Sequence, residues 1–232
     1  MDKNFDELRM LAARRALEEV QNHMLIGLGT GRTTAHFINY LGEALQQGVL
    51  SGIVGIPTSE ATAAQALSLN IPLSGLDDHD LLDLAVDGAD EVDPRLNLIK
   101  GLGRALLREK MVEIHARRLI IVVDEAKLVS RLGEKVPLPV EITPFGSAAS
   151  VRWLNTLGCK AELWLEADGS PAVTDNGNYL ARCWFEHGIQ DAAGLAQQLS
   201  ERPGIVEHGL FLNMATRVIV ARSRGIEVLE RI

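Results

Sequence analysis

Residues 24–47 read MLIGLGTGRTTAHFINYLGEALQQ, and the order of residue types in this stretch decides the fold. Met24 to Gly29 is a short apolar strand that runs into a glycine loop, Gly29-Thr-Gly-Arg-Thr-Thr34. The spacing after the loop predicts a helix from Thr34 to about Gln47. Strand, glycine loop and helix in that order point backbone N–H groups and the positive end of a helix at an anion. A tight strand-to-helix turn that needs glycine for its angles accounts for the same residues. The loop departs from two phosphate signatures. Counting Gly-x-Gly-x-x-Gly from Gly27 puts Arg32 at the third glycine, and counting from Gly29 puts Thr34 there, so it is not the dinucleotide fingerprint. No Gly-Lys-Ser/Thr follows at the spacing of a P-loop. Read as a binding loop, it suits a small phosphorylated ligand held by Thr30, Arg32, Thr33 and nearby backbone.

The pattern extends in both directions. Asp6 to Val20 reads as an amphipathic helix with Leu8, Leu11, Ala12 and Leu17 on one side. Downstream, Gly52 to Ile56 is a strand, and Ser59 is the expected N-cap of a helix reaching Leu69. Pro72 to Leu76 and Leu81 to Val86 supply two more apolar strands, a helix is predicted from Leu102 to Arg117, and Arg118 to Asp124 is a buried run. Short apolar strands alternating with helices predict an α/β fold, an open parallel sheet with helices on both faces. Ligands of such sheets bind beyond the carboxyl ends of the strands. Gly29 to Thr33, Asp87 to Asp90 and Lys127 all fall just past such ends.

The densest chemistry lies between Leu84 and Lys110. Three carboxylates, Asp87, Asp90 and Glu91, follow an apolar strand within five positions, and Gly88 between them is expected to take backbone angles closed to other residues. Lys100 follows, flanked by Gly101 and Gly103, and the next helix carries Glu109. Carboxylates, a lysine and glycines at a strand-to-helix junction suit a small polar or anionic substrate. A solvated acidic loop is the plainer account of the same Asp-Gly cluster.

The whole chain bounds these readings. Its 232 residues can bury a sizeable core, and 47% hydrophobic with 23% charged residues is ordinary for a soluble globular protein. A net charge of −8 argues against nonspecific nucleic-acid binding, so an anionic substrate must be held by local positive charge. Cys159 and Cys183 have neither metal-ligand spacing nor a disulfide framework, which predicts a reducing cytoplasm. The charged start MDKNFDELRM is not expected to be a signal peptide, and no stretch is long enough to span a membrane.

Beyond Gly133 the character changes. Lys135 to Thr143 contains two prolines, which suits an edge strand or a crossing between domains. A helix (Phe145 to Leu157), a strand (Lys160 to Glu166), turns near Asp168 and Thr174, a strand (Asn178 to Phe185) and a helix (Asp191 to Leu199) predict a small α+β domain with an antiparallel sheet. Ile205 to Leu212 and Thr216 to Ala221 are expected to return to the first sheet as its edge. His115, His187 and His208 are scattered without ligand spacing and read as structural. Trp153, Trp164 and Trp184 suit packing or a subunit contact.

Together these motifs resemble one family, the type A ribose-5-phosphate isomerases. The segments that carry the resemblance are Gly27 to Ala35, Asp87 to Asp93, Lys100 to Lys110, Pro137 to Glu141, Val173 to Asn178 and Pro203 to Phe211. The resemblance implies a Rossmann-like domain over 1–132 and 206–232. It also implies a smaller, ferredoxin-like α+β domain over 133–205 that carries an oligomer contact. It implies a cytoplasmic homo-oligomer, a dimer or tetramer, acting on a sugar phosphate without metal or organic cofactor and without nucleic-acid or membrane partners. By the same resemblance Glu109 matches the base that moves a proton between neighbouring sugar carbons through an enediolate. Asp87 and Asp90 match the acids that open the ring and shuttle hydroxyl protons. Lys100 matches the cation near the enediolate or phosphate. Thr30, Gly31 and Thr33 match the substrate loop, and Gly88, Ala89, Gly101, Leu102, Gly103 and Lys127 fall in matching substrate-contacting segments.

Three positions depart from the family pattern: Arg32 stands where serine is usual, Arg9 where lysine is common and Leu102 where glycine is common. Arg9 keeps its charge, and Arg32 suits a bidentate phosphate contact, a side chain swung out into solvent, or an altered substrate choice. Leu102 leaves the conformation of the Gly-Leu-Gly turn open. Two rival readings exist. A sugar-phosphate sensor should carry a DNA-binding helix pair, and only one helix precedes the first strand. An amino-sugar phosphate deaminase or CoA transferase is the other; a deaminase should place a catalytic histidine in the glycine, carboxylate or lysine segments, and none falls in Gly27 to Ala35, Asp87 to Asp93 or Lys100 to Lys110.

Overall fold

A computed structural model describes residues 2–231. In chain order the elements begin α1 (Asp2–Leu17), β1 (Leu25–Leu28), α2 (Arg32–Gln46), β2 (Val54–Pro57), α3 (Glu60–Ser68) and β3 (Leu84–Asp87). Next come β4 (Glu91–Val92), β5 (Leu98–Ile99), α4 (Leu106–Ile114), β6 (Leu119–Asp124), β7 (Leu138–Ile142) and α5 (Ser147–Leu154). The chain ends with β8 (Lys160–Leu163), β9 (Tyr179–Trp184), α6 (Ala192–Ser200), β10 (Ile205–His208), β11 (Leu210–Phe211), β12 (Arg217–Arg222) and β13 (Gly225–Glu230).

These elements form two compact units. The first takes the chain up to Ala89, Arg108–Lys127 and the stretch from Met214 on; the second takes Asp90–Leu107 and Leu128–Asn213. The short stretch 90–107 belongs with the second because β5 pairs with β11 there.

The first unit is built on a six-stranded sheet in the order β13-β12-β6-β3-β1-β2. All neighbours are parallel except β12 and β13. Alternate residues of the central strands, among them Ile26, Leu28, Val86, Ile120, Val122 and Ile219, face a core shared with Ala12 and Ala16 of α1 and Phe37, Ile38 and Leu41 of α2. Burying each large aliphatic side chain contributes roughly 1.5–3 kcal/mol. On the opposite face Val112 of α4 packs in a small buried cluster with Ile56 and Leu82. Val112 lies so close over Gly27 that a Cβ there would come within 2.7 Å of it, which explains the glycine in the middle of β1.

The second unit has an antiparallel sheet, β10-β7-β9-β8, and a small three-stranded one, β11-β5-β4. Leu138, Val140 and Ile142 of β7 share one buried cluster with Leu154 of α5 and Leu195 and Leu199 of α6. The class is α/β with a smaller antiparallel unit. No helix among the described residues is long and apolar enough to cross a membrane.

Four expectations are corrected. Pro72 to Leu76 is not a strand: Leu73 makes a single bridge to Gly55, and Pro72 has no N–H to extend a ladder. β7 is an interior strand rather than an edge, paired with β9 and β10. Pro139 is tolerated there because it takes part through its carbonyl, which accepts from Gly209 N at 2.8 Å where the ladder to β10 ends. Ile205 to Leu212 does not return to the first sheet; it splits into β10 and β11 of the second unit. β12 does return, but as an interior strand, with β13 outside it as the edge.

Candidate active site

In the first unit the site residues collect at the carboxyl end of the parallel strands. Asp87 closes β3 and is buried. Its Oδ1 accepts from Gly88 N at 2.6 Å, Thr30 N at 3.1 Å and the Thr34 hydroxyl at 3.3 Å. Gly29 leaves β1 beside it, and any Cβ at Gly29 would collide with the Asp87 carboxyl. The glycine loop is therefore shaped first around a carboxylate of its own chain.

Gly31, at φ 132°, is the N-cap of α2 and offers no side-chain cap to that helix. No acidic residue stands in the first turn of α2. The uncapped N–H groups and the dipole there favour a bound anion. Arg32 is exposed at this end and Thr33 partly exposed.

A cluster of hydroxyls backs the loop and was not foreseen from the sequence. The Thr30 hydroxyl lies 2.8 Å from both the Thr58 and Ser59 hydroxyls and 3.2 Å from that of Thr62, and Thr62 Oγ1 donates to Gly29 O at 2.9 Å. Ser59 does cap α3 as expected, accepting from Thr62 N. The missed signal was the run Thr58-Ser59 directly after β2, at the same sheet edge as the loop.

Further side chains near these strand ends and on α4 belong to this unit. Glu109 sits in the first turn of α4 and is only 3% exposed, with Ala105, Leu106 and Val112 buried around it in sequence. Glu113, one turn further on the same face, is equally buried and also escaped the sequence reading. At the end of β6, buried Asp124 holds Arg9, whose Nε is 3.8 Å from Asp124 Oδ2. Lys127 is partly exposed in the 3₁₀ turn Glu125–Lys127 that follows. Gly88 corrects an expectation. It does not adopt a left-handed angle, and a Cβ there would meet nothing closer than 3.8 Å.

The second unit carries the other half of the sequence-derived set. Asp90 N donates to Ile99 O at 2.8 Å, and Asp90 Oδ2 accepts from Leu102 N at 3.0 Å. Lys100 is buried, its N–H bonded to Gly209 O at 2.9 Å and its ammonium 5.4 Å from the Phe211 ring centre. A Cβ at Gly209 would strike the Lys100 carbonyl, which fixes glycine there. Leu102 fits without strain: the left-handed residues of the turn are Gly101 at φ 112° and Arg104 at φ 66°. Gly103 is exposed between them.

Two motifs of this unit meet in a hydrogen-bond network of their own. Buried Glu141 of β7 accepts from the Thr174 hydroxyl and Asn178 Nδ2, each at 2.9 Å, and from Asn176 Nδ2 at 3.4 Å. The Pro137 to Glu141 and Val173 to Asn178 segments are thus two sides of one structural hydrogen-bond network. His208 is buried and accepts Leu210 N through Nδ1, and His115 Nδ1 lies against Met111 O, both local structural contacts.

Comparison with known proteins follows the same lines. The family model for ribose 5-phosphate isomerase A (phosphoriboisomerase A) matches residues 54–225. A ribose-5-phosphate isomerase A of Rhodopseudomonas palustris is 49% identical over 237 residues, covering 100% of both chains. A probable ribose-5-phosphate isomerase 2 of Arabidopsis thaliana is 47% identical, covering 98% of this chain and 88% of its own. A D-ribose-5-phosphate isomerase solved in complex with phospho-erythronic acid superposes with a TM-score of 0.95 at 44% identity, covering 98% of this chain and 99% of that one. Ribose 5-phosphate isomerase from Plasmodium falciparum gives a TM-score of 0.94 at 37% identity, with 97% and 98% covered. With a match that extends over the whole length in sequence and in fold, the chain belongs to the ribose 5-phosphate isomerase A family.

Proposed function

We propose that this chain interconverts D-ribose 5-phosphate and D-ribulose 5-phosphate, the aldose–ketose step of the non-oxidative pentose phosphate pathway. The reaction moves a proton between C1 and C2 and a second proton between their oxygens, with an enediolate between. It needs a carbon base, donors for the hydroxyl protons and positive charge near the developing oxyanion. Glu109 is the base: a buried carboxylate on a regular helix is held in a defined position. Asp87 and Asp90 handle the hydroxyl protons and ring opening, each oriented by backbone N–H donors. Lys100 stabilises the enediolate. The phosphate rests at the open first turn of α2, with Thr30, Gly31, Arg32 and Thr33 around it and Arg9 and Lys127 as further cations.

The observation that carries this reading is the closure of the glycine loop on Asp87, which ties the anion-binding end of α2 to a catalytic acid at one sheet edge. A phospho-erythronate complex of a relative, whose ligand is a four-carbon acid phosphate, supports the substrate class. Assembly as a cytoplasmic homo-oligomer is part of the proposal, supported by apolar side chains left exposed on the second unit: Phe145, Leu165, Val173 and Trp184. The test is a coupled assay for ribulose 5-phosphate formed from ribose 5-phosphate by the purified chain. Turnover by wild type and its loss in Glu109→Gln supports the reading. Absence of turnover in wild type, or equal turnover in both, refutes it.

A further inference from the structure

The turn from Gly101 to Arg104 joins two groups assigned above to the reaction, Asp90 and Lys100, and its outer end is anchored in an unusual way. Arg104 takes a left-handed backbone, φ 66°, which a residue with a long side chain holds only when its surroundings enforce it. Its N–H closes the turn on Gly101 O at 3.0 Å. Its guanidinium forks onto Glu166: Nη1 donates to Oε1, and Nη2 donates to Oε2 at 3.1 Å. The guanidinium carbon lies 5.0 Å from the Trp164 ring centre, and Arg182 stacks on the same ring at 5.3 Å. Arg182 in turn donates to Glu162 Oε1 at 2.8 Å.

The post that Arg104 grips is stiff. Trp164 N donates to Leu180 O and its carbonyl accepts Ala172 N, both at 2.8 Å. Glu166 N donates to Ser170 O at 2.8 Å, and Gly169 N closes back on Glu166 O at 3.0 Å. The hydrogen bond from Arg104 also holds the Glu166 carboxyl below the usual range, as expected of a charge-assisted pair.

We propose that Arg104 is a positioning residue for the isomerisation: clamped by Glu166 and Trp164, it holds the Gly101–Arg104 turn in the one conformation that aims Asp90 and Lys100. The link is direct. Leu102, in the middle of the turn, donates its N–H to Asp90 Oδ2, and Lys100 is the residue that enters the turn. Releasing Arg104 lets its backbone leave the left-handed region, opens the bond to Gly101 and swings Leu102 N–H away from Asp90. Arg104 itself needs no contact with the substrate. The inference rests on the assignment of Asp90 and Lys100 to the reaction.

The experiment is steady-state kinetics on ribose 5-phosphate with thermal melts, for Arg104→Ala, Arg104→Lys, Glu166→Gln, Lys100→Ala and Arg202→Ala. Arg202 stacks on Trp153 at 5.0 Å and serves as a matched arginine–tryptophan control outside the turn. A displaced catalytic group lowers kcat by about tenfold or more, while KM, set by the phosphate contacts, moves by less than about threefold. Arg104→Ala and Glu166→Gln should both show that split while remaining folded at the assay temperature, and Arg202→Ala should match wild type. Arg104→Lys keeps a charge for Glu166 but loses the fork and the stack, so it should recover only part of kcat. Should Arg104→Ala fail to fold, Arg104→Lys and Glu166→Gln carry the same test. The clamp is refuted if Arg104→Lys and Glu166→Gln turn over like Arg202→Ala, or if lost activity only follows the unfolded fraction. An inactive Lys100→Ala beside a fully active Arg104→Ala removes the clamp alone; a fully active Lys100→Ala removes the site assignment beneath it.

Discussion

Gly29 and Asp87 occupy each other's space: the carboxyl at the end of β3 sits where any side chain on residue 29 would have to go. The loop glycine and the strand-end aspartate are therefore one structural decision, made across two neighbouring parallel strands. Gly29→Ala should displace the carboxyl from Thr30 N and Thr34 Oγ1, costing about 2 kcal/mol of stability and most of the activity. Gly88→Ala, one residue beyond Asp87, has both room and an ordinary backbone angle, so its melt should stay within about 0.5 kcal/mol of wild type. Equal melts for the two variants would contradict this assignment of the space around Asp87.

The cations at the site are predicted to differ in importance. Arg32 is exposed, whereas Lys100 is buried in the second unit with its ammonium against Phe211. Arg32→Ser should change kcat/KM on ribose 5-phosphate by less than about tenfold, and Lys100→Ala should lower kcat by about a hundredfold or more. The opposite ranking in steady-state kinetics would move the phosphate and enediolate subsites.

Glu19 provides a stability prediction with a pH signature. Its carboxylate joins three arginines: Arg15 at 2.9 Å, Arg118 at 3.2 Å and Arg217 at 2.6 Å. Burial alone would raise its pKa, but the Arg15 hydrogen bond and the charges of Arg217 and Arg15 outweigh that and hold it below the ordinary 4.5. A carboxyl depressed by folding stabilises the native state at pH above its unfolded value, and that contribution fades as pH falls through the folded value. Because solvent screens these pairs, Glu19→Gln should lose no more than about 1 kcal/mol at pH 7 and converge on wild type as pH falls below 4.5, as read by denaturant melts across pH. A gap that stays constant down to acid would show that the ion pairs contribute nothing.

Glu141 should matter for folding rather than for catalysis. Truncating it leaves the buried Thr174 hydroxyl without its acceptor and also releases the amides of half-buried Asn178 and exposed Asn176. Glu141→Ala should cost about 3 kcal/mol in a thermal or urea melt, with kcat of the folded fraction preserved. A loss of kcat without loss of stability would place Glu141 in the chemistry instead.

Much of this arrangement was readable in advance where a residue type has one physical use. Leu119 to Val123 is an unbroken apolar run of β-branched and leucine residues ahead of a polar turn, which reads as a buried strand, and every position from Leu119 to Asp124 is buried. The glycine loop and the Asp87 to Lys100 stretch announced themselves by residues that make poor core. What failed were features set by partners far away in the chain. Nothing local to Ile205–His208 names β7 as its neighbour, and Pro139 reads as an edge residue until Gly209 is seen donating to its carbonyl. Gly88 looked obligatory by its company, yet the constrained position was Gly29, whose neighbour is 58 residues on. The Thr58, Ser59 and Thr62 hydroxyls were hidden because a helix cap already accounted for Ser59. Arg104 carried no signal of strain, since a left-handed arginine is invisible until its Glu166 and Trp164 partners are known.

Hydrogen exchange at the sugar carbons tests the central claim, that the buried Glu109 carboxylate moves the proton through an enediolate. Ribose 5-phosphate incubated with enzyme in deuterated water is followed by NMR, with Glu109→Gln run beside wild type at equal folded concentration. Wild type should incorporate deuterium at the isomerising carbon, and Glu109→Gln should do so about 10²–10⁴-fold more slowly. Deuterium entering at the wild-type rate in Glu109→Gln would contradict the account, because the base would then be another group.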